Sequence, residues 1–365
     1  MSKVFFTNMR CRNGESLLDK LERLVRRAGI EQIDFASRFV AIKIHFGELG
    51  NLAFLRPNFA KRLADVIKPL GGMPFLTDCN TLYVGHRKNA IDHLACAQEN
   101  GFSSLSTGCQ LIIADGLKGT DEALVPLSGT EYVKEAKIGR AIMDADIVIS
   151  LNHFKGHEST GFGGALKNLG MGSGSRAGKM EQHNGGKPSV MCEVCKRCRQ
   201  CIKICANGAI SYDAEGYAVI DPDKCVGCGR CIGWCNFNAI ANRNSSSNEE
   251  LCKKMAEYAL AVVQGRPNFH INIVNQVSPY CDCHGENDMP IIPDVGMFAS
   301  FDPVALDMAS ADACNKMPVM PGSRIAEKTL GDHFAANHPS TNWLDTLTHA
   351  EKIGIGTTKY ELEEI

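Results

Sequence analysis

Cys195, Cys198, Cys201 and Cys205 follow the spacing C-x2-C-x2-C-x3-C, and thirty residues on Cys225, Cys228, Cys231 and Cys235 repeat it. The echo continues past the last thiol, with Ala209-Ile210 after the first run and Ala239-Ile240 after the second. No other feature limits the fold as strongly. Thiolate is the preferred ligand of iron–sulfur iron, four per [4Fe–4S] cluster, and in bacterial two-cluster ferredoxins the fourth Cys of each run serves the other cluster. The crossed pattern assigns Cys195, Cys198, Cys201 and Cys235 to one cluster, and Cys225, Cys228, Cys231 and Cys205 to a second. Cys192 opens an alternative register, but only the run from Cys195 provides the x3 step before its fourth thiol. Structural zinc uses separated pairs rather than runs of four. Ala206 and Asn236 occupy the usual Pro position after the fourth Cys, which bears on the hydrogen bonding that tunes potential.

With 365 residues, 44% apolar and 22% charged, the chain has the composition of a soluble globular protein with room for two domains. A net charge of −2 gives no global reason to expect nucleic acid. No apolar run approaches a membrane span and no signal-peptide core follows Met1, so a disulfide scaffold is not expected despite seventeen cysteines. The expectation is a reducing, low-oxygen cytoplasm.

The cluster segment runs over 187–242, bounded by Gly185-Gly186 and the polar stretch 242–248. Within it, 209–212 and 217–220 flank Asp213-Ala-Glu-Gly216 and read as a hairpin. On both sides, short apolar runs at 40–44, 73–77, 111–113, 146–151 and 270–274 read as strands, with a further one entering at the N-terminus. Ser16 to Ala28, Asn58 to Leu70 and Ile91 to Gly101 have helical periodicity. Such alternation predicts a layered α/β body with a largely parallel sheet, comprising 1–186 and 243–365 and interrupted by an α+β ferredoxin-like dicluster domain at 187–242. Ligand sites in such sheets lie beyond the carboxyl ends of strands.

Candidates for that position are Lys43, His45, Asp78, His153, Lys155, His157 and Lys167. His153 or His157 could act as acid or ligand, and the lysines as anion clamps. Gly161, Gly163 and Gly164 permit close approach of an anion or substrate to the backbone, and a helix starting there would favour it; tight packing is the plainer alternative. No P-loop or dinucleotide fingerprint is present. Cys281 and Cys283 form a C-x-C pair whose thiols point the same way if extended. They suit a third metal or cluster with help from His153, His157, Cys79 or His284, or they are simply reduced structural thiols. Lys196, Arg197, Arg199 and Lys203 crowd the first cysteine run as a solvated basic face or a docking patch for an acidic donor.

His153-Phe-Lys-Gly-His157, Gly163-Gly-Ala-Leu-Lys-Asn168, Cys281-Asp-Cys283, Asp294-Val-Gly296 and Ser300-Phe-Asp-Pro-Val-Ala-Leu-Asp307 resemble the DUF362 family of uncharacterised iron–sulfur centre proteins, as do Lys43-Ile-His-Phe-Gly-Glu48 and Phe75-Leu-Thr-Asp78. The resemblance covers nearly the whole chain. It implies an α/β body with a dicluster domain in microbes that live with little oxygen, and no established substrate. The expectation is an iron–sulfur oxidoreductase that takes electrons from a ferredoxin or reductase and passes them through two [4Fe–4S] clusters to an unknown small molecule or metal. The alternatives are a non-catalytic electron-transfer subunit and a sulfur-handling or lyase-type enzyme using Cys281/Cys283.

Overall fold

The computed structural model describes the chain except residues 83–84, 185–186, 226, 228, 238, 242–246 and 329–330, and describes only the backbone of 184, 230 and 233. Cys228, Gly185-Gly186 and most of the polar stretch after 241 therefore lie outside the described residues.

Eight strands build one sheet: β1 (Ser2–Asn8), β2 (Phe39–Lys43), β3 (Met73–Asp78), β4 (Gln110–Ile113), β5 (Ile147–His153), β6 (Asn268–Val274), β7 (Gly296–Ser300) and β8 (Tyr360–Glu364). Their spatial order is β8-β1-β7-β6-β5-β2-β3-β4. The neighbouring pairs from β6 to β4 are all parallel, so β2, β3, β4, β5 and β6 end on one edge. Strand β7 is antiparallel to both its neighbours, within the largely parallel sheet expected. The sheet draws strands from both sides of the cysteine runs.

Every residue of β5 is buried, because helices cover both faces of a central parallel strand. Alternate residues feed opposite layers. Ile147, Ile149 and Leu151 pack with Leu21, Leu24, Phe59 and Leu63 of the helices Leu17–Arg27 and Pro57–Ile67. Val148 joins Leu166, Leu169, Val262 and Leu306 of the helices Ala165–Ser173, Asn248–Val263 and Pro303–Asn315 on the other face. Polar side chains within these strands are paired: Ser150 Oγ lies 2.9 Å from His270 Nδ1, and Asn152 Nδ2 donates to the Ile271 carbonyl at 2.9 Å. Helix starts follow local chemistry, with a Ser16/Asp19 capping box and Asp302 accepting from Val304 and Ala305 behind Pro303.

The cysteine segment has its own small core of Cys201, Ile210, Ala218, Cys231, Ile232 and Ile240, to which the body adds Leu82 and Met180. Its hairpin pairs Ile210 with Ile220 and Tyr212 with Ala218, as the turn residues require. The fold is thus α/β, and the cysteine segment packs against Leu82 and Met180 of the body.

Candidate functional site

Repetition in the cysteine segment extends to backbone geometry. Arg197 and Arg199 in the first run and Gly227 and Gly229 in the second all have positive φ. Ala209 N donates to Cys205 Sγ and Ala239 N to Cys235 Sγ, both at 3.3 Å. Cys195, Cys198, Cys201 and Cys235 line one small cavity of about 20 Å³, and Cys205, Cys225 and Cys231 line another of equal size. Cys192 is exposed and lines neither. Four thiols around one cavity, three described thiols around the other and amides aimed at sulfur are a donor set that fits [4Fe–4S] clusters. The basic residues Lys196, Arg197, Arg199 and Lys203 are exposed, and the Arg197 and Arg199 guanidinium groups lie over Tyr217 and Tyr212 at 4.1 and 5.3 Å.

A separate cavity, of about 70 Å³, opens at the carboxyl edge of the sheet. His45, Asp78, His153, Lys155, His157, Lys167 and Cys283 all line it, although they come from five separate stretches of chain. Lys43 sits beneath, with its Nζ 2.9 Å from Asp78 Oδ1 and 2.7 Å from Asn168 Oδ1. Burial alone would raise the Asp78 pKa, but Lys43 and its other cationic neighbours hold it well below the usual carboxylate range. Arg87 was not apparent from sequence. It is buried against Glu48 (Nε–Oε2 3.0 Å) and Asp78 (Nη1–Oδ2 3.8 Å), and its Nη2 has no hydrogen-bond partner among the described residues. Lys179, also missed, donates among the described residues only to carbonyls, at 2.6 Å to Gly174 and 3.5 Å to Gly172.

Cys281-Asp282-Cys283 is a turn rather than an extended segment, closed by His284 N on the Cys281 carbonyl at 3.1 Å. The thiols nonetheless meet, with Cys283 donating to Cys281. That hydrogen bond, then Lys167 (Nζ 3.6 Å from Sγ), Lys155 and a His157 contact, pull the Cys281 thiol well below its ordinary pKa against the effect of burial. Cys283 is held above its ordinary value by the same shared proton. Asp282 projects the other way, fully buried. His153 Nδ1 lies 2.9 and 3.0 Å from its carboxylate oxygens, and Lys155 Nζ lies 3.6 Å away.

These contacts revise several sequence expectations. Both ring nitrogens of His153 face oxygen acceptors, Nε2 lying 2.8 Å from the Asn275 carbonyl, so neither offers a lone pair to a metal. His157 sits in a tight hairpin, in which Lys155–His157 pairs with Gly161–Gly163. Its Nδ1 accepts from Ser159 N and Thr160 N, which leaves Nε2–H as a donor rather than a ligand. His45 Nδ1 likewise accepts from Gly47 N, and burial pushes its pKa well down. Cys79 donates to the Ser173 carbonyl at 3.4 Å and burial pushes its thiol up, the signature of a structural thiol. The expected anion at the helix start after Gly161, Gly163 and Gly164 is replaced by a side chain. Asp307 accepts from Ala165 N at 2.7 Å and Leu166 N at 2.9 Å. A Cβ at Gly164 would stand 2.3 Å from Asp307 Oδ1, so that glycine is there for packing.

Leu82 belongs both to the wall of this cavity and to the core of the cysteine segment. Nearby, Lys88 Nζ donates to the Cys235 carbonyl at 3.1 Å, and Lys118 lies 5.0 Å from the Trp234 ring centre.

A family profile described as DUF362, a domain of unknown function, matches residues 40–312. Pyruvate synthase subunit PorD of Methanocaldococcus jannaschii is 41% identical over 54 residues, covering 15% of this chain and 63% of that protein. Ferredoxin-1 of Caulobacter vibrioides is 29% identical over 85 residues, covering 21% and 74%. The chain therefore spans under two thirds of the PorD relative. Among solved structures, the lactate racemase apoprotein of Thermoanaerobacterium thermosaccharolyticum aligns with a TM-score of 0.39 at 13% identity, over 75% of this chain and 51% of that one. Its cysteine runs and its similarity to ferredoxin-type proteins mark this chain as an iron–sulfur protein. Among the described residues, no helix is long and apolar enough to cross a membrane.

Proposed function

The chain belongs to the DUF362 family, and we propose that it is an oxidoreductase in which two [4Fe–4S] clusters deliver electrons to a small anion in the cavity at the ends of β2, β3 and β5. One cluster would be held by Cys195, Cys198, Cys201 and Cys235, the other by Cys225, Cys228, Cys231 and Cys205. When bound, the clusters supply single electrons at low potential. The observation that carries the reading is Leu82, which both lines the cavity and belongs to the cysteine segment's core. A carrier has no need of a lined cavity at that spot.

Charge and size support the class of substrate. Lys43, Lys155, Lys167 and Arg87 have anionic partners, whereas among the described residues Lys179 donates only to carbonyls. Lys179 is thus the cation left to bind an anion, with Arg87 Nη2 a further donor that has no hydrogen-bond partner among the described residues. A cavity of about 70 Å³ holds several waters or a small oxyanion or carboxylate, far less than a nucleotide needs. Burial holds His183 near a pKa of about 4, and His45 is also pushed down, so both line the cavity as neutral imidazoles at pH 7. His157 Nε2–H adds a donor to the cavity lining.

The test uses photoreduced, anaerobic protein mixed with small anionic oxidants: nitrite, sulfite, thiosulfate and 2-oxo carboxylates. One class is expected to reoxidise the clusters with saturation, and Lys179→Met to slow it at least tenfold with cluster content unchanged. Equal, unsaturable rates for all oxidants and for the variant would overturn the enzyme reading. They would favour the carrier subunit, which the PorD relative's name also suggests.

A further inference from the structure

We infer that Cys283, His284 and Glu158, joined by Cys281, form a site for one divalent transition metal of zinc-like preference at the mouth of this cavity. The inference rests on the reading above only for the use of the cavity.

One ligand atom each from Cys283, His284 and Glu158 lies within 4.8 Å of the other two. His284 Nε2 is already 2.9 Å from Glu158 Oε1, while Glu158 Oε2 is buried and without a hydrogen-bond partner among the described residues. Cys281 lies within hydrogen-bond reach of Cys283. Metal–ligand bonds of about 2.0–2.3 Å place the ligands of a tetrahedral site roughly 3.3–3.8 Å apart, so small side-chain rotations close the set. Two sulfurs, one imidazole and one carboxylate form a borderline-soft set suited to Zn2+ or Fe2+ rather than to Mg2+ or Ca2+. A disulfide between Cys281 and Cys283 would leave His284 and Glu158 without a purpose, and a cluster would require more thiolates than two.

The surroundings are those of a supported site. Lys167 Nζ stands 3.6 Å from Cys281 Sγ, Asn51 Nδ2 donates to the His284 carbonyl at 3.1 Å, and Glu48 N donates to the Asp282 carbonyl at 2.9 Å. Asp282, gripped by His153 and Lys155, anchors the turn that carries the two thiols. The side chains of His284 and Glu158 are 41% and 37% exposed, which leaves an entry path and an open face toward the cavity.

The experiment measures zinc, iron and acid-labile sulfide together in anaerobically prepared full-length protein equilibrated with zinc sulfate and then desalted. One zinc per chain is expected. Cys283→Ser and His284→Gln should each weaken zinc binding at least tenfold, with iron, sulfide and cluster absorbance unchanged as the check on folding. X-ray absorption should give a mixed sulfur and nitrogen/oxygen shell. No zinc, zinc retained by both variants, or a Cys281–Cys283 disulfide in the anaerobic protein would overturn the inference. None of these results bears on cluster reoxidation, so the electron-transfer reading fails or stands separately.

Discussion

Replacing Asp282 with Asn removes one charge from a fully buried carboxylate that faces His153 at 2.9 and 3.0 Å and Lys155 at 3.6 Å. Neighbouring cations hold its pKa well below the usual range, His153 first among them, so the native state contains the anion at any pH near neutrality. Breaking one side of a buried ion pair costs roughly 3–5 kcal/mol, because the remaining charge is left uncompensated. Asn can still accept from His153, which puts the expectation at about 3 kcal/mol, the lower end of that range. Global unfolding reports on the whole chain rather than on this turn. Amide hydrogen exchange is better, read at Glu48, Gly156 and His284, whose N–H groups donate to the carbonyls of Asp282, Ser278 and Cys281. A loss of about 3 kcal/mol in local opening corresponds to roughly a hundredfold faster exchange there. Amides of β1, on the far side of the sheet, should be unchanged. In a double-mutant cycle, adding Lys155→Met to Asp282→Asn should cost much less than it does in the parent, since the two groups share one pair. Exchange accelerated by less than about fivefold at all three amides would refute the argument that Asp282 anchors the turn.

Asp307 is buried on Ala165 N, Leu166 N and Asn272 Nδ2, and burial pushes its pKa up to about 6. A raised carboxyl pKa means that the folded state binds the proton more tightly, so this contribution is complete below pH 4 and is lost as pH rises through 6. Thermal midpoints between pH 5 and 7 should therefore fall with pH from this group, and Asp307→Asn should flatten that slope. At Arg197, a left-handed backbone costs about 1 kcal/mol and an exposed guanidinium–ring contact returns about 0.5–1 kcal/mol. Arg197→Gly should therefore leave denaturation midpoints nearly unchanged, while Arg197→Ala keeps the strain, loses the stacking and destabilises by about 1 kcal/mol. If Lys196 and Lys203 steer an acidic donor, stopped-flow cluster reduction by a ferredoxin should slow with salt, and Lys196→Glu/Lys203→Glu should slow it further and flatten the salt dependence.

The cysteine register was readable because ligand stoichiometry and the doubled spacing leave few other meanings, and the two thiol-lined cavities follow the crossed pattern at every described position. The parallel core of the sheet was readable from apolar runs ended by polar residues, and those ends are where Lys43, Asp78 and His153 stand. Strand β8, Tyr-Glu-Leu-Glu-Glu, was not, since a charged edge strand lacks the apolar signal that marks an interior one. Strand β7 was missed as well, because a five-residue run such as Gly-Met-Phe-Ala-Ser has no period of its own. Residue types drew attention to His153 and His157, yet their roles depend on which neighbours their nitrogens meet, and only the folded chain brings Asp282 and the Thr160 amide to them. Arg87 and Lys179 carry no motif, and Glu158 could have been noticed only as an acid beside His157.

The account's central claim is that this chain holds two clusters in crossed register beside a cavity that uses their electrons. Iron and acid-labile sulfide, counted on anaerobically purified protein, address it most directly: roughly eight of each per chain are expected, with Cys225→Ser lowering both toward four. A count near four in the parent protein, or one that Cys225→Ser leaves unchanged, would contradict it.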